Sequence, residues 1–102
     1  MRNADAGRYI AGRDNFTASH FAGVRKAPGT SPESYGQLPP ELVHDVQSAA
    51  YVVYSYRTPV AWWTRQYGWT VPAERYTNEQ GRYSAATARH QKIVRNSVAV
   101  AA

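Results

Sequence analysis

The longest run of apolar and aromatic positions in this chain spans Tyr51 to Tyr76, with all three tryptophans and most of the tyrosines. β-Branched and aromatic residues cluster there between turn formers, so the stretch reads as strands. The pattern predicts Tyr51–Tyr56, then Val60–Thr64, then a third strand that starts at Trp69 and frays after Pro72. Arg57-Thr58-Pro59 supplies the first turn, because a proline lacks the ladder donor and belongs at a turn or a strand's first position. Arg65-Gln66-Tyr67-Gly68 supplies the second, with Gly68 free to take positive φ. In the first hairpin Tyr51 and Val53 point one way, and Val52, Tyr54 and Tyr56 the other. A half-exposed sheet would alternate with polar residues. Either both faces are covered, or one displays aromatic rings to a partner.

Helical spacing appears on either side of this block. Pro39-Pro40-Glu41 suits a first helical turn, since proline is tolerated there and an acidic residue complements the helix dipole. Leu42, Val43, Val46 and Ala49 then form an apolar stripe two to three turns long. Near the C-terminus, Ser84 can cap a final helix, SAATARHQKIVRNSV. At about 100° per residue, Ala86, His90, Ile93, Val94 and Ser97 share one side and Arg89, Lys92 and Arg95 the other.

The N-terminal third is less periodic. Residues 1–15 read as a loosely ordered arm, and residues 25–38 as loop rich in Pro, Gly and Ser. Between them, FTASHFAGV fits either an alternating strand or a helix repeating at Phe16, His20 and Val24, and one short strand packed on the central sheet is expected. The fold expected is α+β: a three-stranded antiparallel meander with a short helix before it and an amphipathic C-terminal helix. The division is an arm and loop over 1–34 and a single domain over 35–102.

Composition narrows the function classes. A chain of 102 residues, 43% of them hydrophobic, has enough material for one modest core. Without cysteine there are no disulfides or thiolate metal sites. No apolar run approaches the roughly 20 residues that span a bilayer, and the N-terminus lacks a signal-peptide pattern. A cytoplasmic location and no membrane partner are expected. The formal charge is +5. Charges cancel through residue 56, and the whole excess lies from Arg57 onward, with nothing acidic after Glu79. Such asymmetry suggests an anionic partner.

The ordered pattern Tyr54-Ser55-Tyr56, Thr58-Pro59-Val60-Ala61-Trp62, Trp69, Val71-Pro72, Tyr83-Ser84 and Thr87 with Arg89-His90-Gln91 resembles a family of short uncharacterised proteins encoded by actinobacterial phages. The similarity runs from near Leu38 to Val94. The chain departs from it in extra residues between Pro72 and Tyr83 and in a long N-terminal arm. The family has no assigned activity, so the resemblance implies a setting inside a bacterial host and no mechanism.

Catalytic constellations are absent from the sequence. His20, His44 and His90 are scattered without metal-ligand spacing, and there is no nucleophile elbow or Gly-rich phosphate loop. His44-Asp45 is a neighbour pair whose side chains diverge on a helix. His90, between Ala86 and Val94, reads as a core histidine held by a hydrogen bond. A non-enzymatic binding protein without cofactor or metal is therefore expected. One reading is nucleic-acid binding, with sheet rings stacking bases and cations contacting phosphates. Its candidate residues are Arg57, Arg65, Arg75, Arg89, Lys92, Arg95, Tyr54, Tyr56 and Trp63. The alternative is an interaction module docking on a host or virion protein, since Trp, Tyr and Arg also dominate protein interfaces. Trp62, mid-strand in the most apolar stretch, is expected in the core.

Overall fold

A computed structural model of the chain describes residues 1–72 and 85–101, with side chains as far as Val98. The apolar block forms β3 (Tyr51–Ser55), β4 (Thr58–Thr64) and β5 (Gly68–Thr70). Ahead of them lie β1 (Phe16–Ala18) and β2 (Phe21–Arg25). All five strands pair antiparallel in the order β1-β2-β3-β4-β5. The fold is α+β, and the meander has five strands where the sequence suggested three. The single strand expected around FTASHFAGV is a hairpin, turning at Ser19-His20 with His20 at φ 54°. No Gly or Asn marks that turn, so the alternation reads through it unbroken.

The first central turn also differs. Ser55 pairs with Thr58, leaving Tyr56 and Arg57 as a two-residue loop. Pro59 sits inside β4 opposite Tyr54, where the register shifts between Val53 and Tyr54. A bulge is one of the few places a sheet accepts proline. The second turn is as expected: Gly68, at φ 74°, closes the loop against Thr64.

The helices are α1 (Gly7–Ala11), α2 (Val43–Gln47), preceded by a 3-10 turn at Pro40–Leu42, and α3 (Ala85–Ala101). Ser84, the expected cap of α3, and Arg75 lie outside the described residues. Residues 1–15 were expected to be loosely ordered, yet they form a 3-10 turn at Asn3–Ala6 and then α1. Ala6 and Ile10 are fully buried, and α1 packs along α3. So short a helix is not stable alone. Its order comes from docking, which leaves no periodic trace in the sequence.

Successive residues of a strand face opposite ways. Ser55 meets His90 of α3, while the Tyr54 hydroxyl accepts the Glu33 N–H from the loop before α2. α3 therefore covers one face, and that loop closes over the other. All five residues of β3 are buried, so both faces are covered along the central strand. Val46 and Ala49 join this core from the helical stripe, and Trp62 is 1% exposed as expected. At Gly23 any side chain would strike the Tyr51 hydroxyl and the Phe16 ring. Among the described residues no helix is long and apolar enough to cross a membrane.

Candidate functional site

With the middle of the sheet sealed, accessible chemistry lies at its two ends. One end is built by the β1–β2 and β3–β4 turns. In the β3–β4 turn both loop residues have positive φ, Tyr56 at 49° and Arg57 at 68°. That is the requirement of a type I′ turn, which favours Asn-Gly. Bulky residues there carry backbone strain, and such strain gathers where side-chain placement matters. His20, across the gap, is also left-handed, and its carbonyl accepts the Tyr56 N–H at 3.0 Å.

These turns place four rings in a column. Phe21 stacks on His90 at 4.4 Å, His90 faces Tyr56 at 6.3 Å, and Tyr56 stacks on His20 at 4.4 Å, tilted by 11°, 22° and 4° respectively. The column runs from core to surface: Phe21 and His90 are buried, while Tyr56 is 55% exposed and His20 is exposed. Beside it lies a cleft of about 330 Å³ lined by His20, Phe21, Glu33, Tyr54, Tyr56 and Arg57 among others.

His90 anchors the column. Its Nδ1 lies 2.6 Å from the Ser55 hydroxyl and its Nε2 3.2 Å from the Asn3 side-chain amide. Both ring nitrogens are thus engaged, as expected of a core histidine. Burial holds its pKa below the usual 6.5, and the nearby charges of Arg89 and His20 act the same way. Ser55 is fully buried, so this Ser–His pair is no accessible nucleophile. The next residue, Gln91, donates from Nε2 to the carbonyls of Val60 and Pro72, each at 3.2 Å. His90-Gln91, part of the pattern that carried the phage-protein resemblance, thus fastens α3 to the sheet.

The sequence candidates do not converge as one set. Tyr56, Arg57 and Arg89 belong to the ring-column end. Arg65 lies in the β4–β5 turn at the far end of β4. Tyr54, expected as a display ring, is 6% exposed, and burial pushes its phenol pKa up. It is buried because loop 31–38 closes over it, an event no local pattern announces. Trp63 is half-buried beneath the Arg13 guanidinium, 4.1 Å from the ring centre. Arg89, Lys92 and Arg95 are exposed on α3, and Arg95 also donates to the Pro72 carbonyl at 3.2 Å. His20 and Arg13 had no motif to single them out. They matter through partners distant in sequence.

Among the described residues no three His, Asp or Glu side chains gather as a metal site would require. Comparison with curated proteins finds no match, and comparison with solved structures finds none. A family model does match, over residues 6–100, nearly the whole chain. The chain belongs to that family, DUF8033, a family of unknown function.

Proposed function

We propose that this protein is a non-enzymatic, single-stranded nucleic-acid-binding module, and that the outer end of the ring column is where an unpaired base stacks. The observation that carries the reading is the Tyr56–His20 stack, held at the surface by left-handed turns beside Arg57. Aromatic faces accept any base and contribute roughly 1–3 kcal/mol per base. Arg57, Arg89 and Lys92 would meet phosphates, and Glu33 in the cleft would accept from an exocyclic amino group. Docking on a host or virion protein is the weaker alternative. Among the described residues the exposed large apolar side chains are Met1, Tyr56 and Tyr67, too few for a continuous patch. From the sequence resemblance we place the protein with phage-type proteins in a bacterial cytoplasm.

The test is a titration of single- and double-stranded oligonucleotides at several salt concentrations. We expect micromolar or tighter binding at low salt, favouring single strands. His20→Asn with Tyr56→Asn tolerates the left-handed backbone and should weaken binding roughly 10- to 100-fold. Replacing Arg89, Lys92 and Arg95 by Gln should lower the log–log salt slope on single strands by about 1–2. An absence of binding at low salt, or binding indifferent to the ring substitutions, would sink the proposal.

A further inference from the structure

The opposite end of the sheet carries a second cleft of about 330 Å³, lined by Arg13, Arg25, Lys26, Tyr51 and Trp63 among others. Its cations come from the first half of the chain, whose net charge is zero, so composition gives no hint of it. Arg13 has left-handed backbone, φ 54°, and its guanidinium lies 4.1 Å from the centre of the Trp63 ring. No hydrogen-bond acceptor meets that guanidinium among the described residues. Arg25 is steered from behind: its Nε–H donates to the Arg13 carbonyl at 2.6 Å and its Nη2 to the Asp14 carboxylate at 2.7 Å. The Nη1 end of its fork is unspent among the described residues. Lys26 gives its ammonium to the carbonyls of Ala27, Thr30 and Gln47 at 3.1, 2.8 and 2.8 Å, which satisfies its donors and leaves its charge. Among the described residues Asp14 is the sole carboxylate paired with these three cations.

The geometry points to an oxyanion site in this cleft, taking a phosphate group on the guanidinium forks of Arg13 and Arg25. A planar guanidinium matches phosphate oxygens with two parallel hydrogen bonds. An unrestrained arginine would lose side-chain entropy on binding, but here the Trp63 ring holds Arg13, and the Arg13 carbonyl and the Asp14 carboxylate hold Arg25. The site is separate from the ring column and does not depend on that reading. Its phosphate has two sources, a free nucleotide-sized ligand or the backbone of a strand.

Titrating the full chain at low salt, followed by NMR of the Arg13 and Arg25 Nε–H groups and the Trp63 indole N–H, separates the outcomes. Inorganic phosphate should shift these signals saturably, and adenosine monophosphate should bind more tightly than adenosine. Arg13→Gln should weaken phosphate binding by about tenfold or more, Arg13→Lys by less, and Arg65→Gln not at all. A short oligonucleotide that outcompetes the monophosphate here, with the same dependence on Arg13, assigns the phosphate to a strand. Adenosine binding as well as its monophosphate overturns the proposal. So does an absence of saturable shifts, or phosphate binding by Arg13→Gln equal to the parent's when its melting temperature is unchanged.

Discussion

The two ends of the sheet solve different problems with similar materials. At the Ser55 end, rings are stacked on rings and the column ends in exposed His20 and Tyr56. At the Tyr51 end, a cation covers a ring, and donors rather than aromatic faces point outward. The central strand that joins them, β3, is buried on both faces. Interior aromatic content therefore says little about binding. What an end offers depends on whether its last ring is left open or covered by a guanidinium.

The strongest test removes the common support. Trp62→Ala should cost about 3–5 kcal/mol, as large-to-small core changes do, and both ends should fail together with the fold. A variant that melts near the parent's temperature yet loses binding would show Trp62 to be a contact surface and the two ends separable from the core.

A smaller effect belongs to one end alone. Ser55→Ala leaves His90 Nδ1 without its partner and should cost about 1–3 kcal/mol. The parent should also be acid-sensitive through His90. Its folded pKa lies below 6.5, so the unfolded chain takes up a proton that the folded chain refuses, and stability falls as pH drops through about 6.5 towards the folded pKa. Denaturant midpoints from pH 8 to 5 check this, and His90→Gln should flatten that part of the profile. An unchanged slope would assign the sensitivity elsewhere.

The smallest effect has the opposite sign. Replacing Tyr56-Arg57 by Asn-Gly gives the turn the residues its backbone prefers and should raise stability by about 1–2 kcal/mol. It removes the ring and cation proposed for binding. Higher stability with lost oligonucleotide affinity would mark strain kept for function. Lower stability would mean that ring stacking outweighs the turn's strain.

Much of the fold was legible because it rests on local chemistry. β-Branched and aromatic runs gave the three C-terminal strands, Gly68 gave the second turn, and the spacing of His90, Val94, Arg89 and Lys92 gave the two sides of α3. The first hairpin is not legible because Ser19-His20 carries no Gly, Asn or Asp, the strong markers of a two-residue hairpin turn. The β3–β4 turn lies at Tyr56-Arg57, with β3 ending one residue and β4 starting two residues earlier than expected, because Pro59 is the stronger breaker signal and the bulge that accommodates it is invisible locally. Of the residues proposed for binding, Tyr56, Arg57 and Arg89 stand among the sequence candidates, whereas Tyr54 is buried beneath the loop rather than displayed.

What the sequence determined by itself is the class of object: an α+β protein with a central aromatic sheet, Trp62 in its core, and a basic face on its last helix. These follow from period, propensity and charge, which act over a few residues. Tertiary structure alone decided which rings reach solvent. His20 lies 36 residues from Tyr56, and Arg13 lies 50 from Trp63. Whether a ring is stacked, capped by a cation or sealed beneath a loop depends on surfaces that meet only when distant segments pack, and no local pattern encodes that meeting.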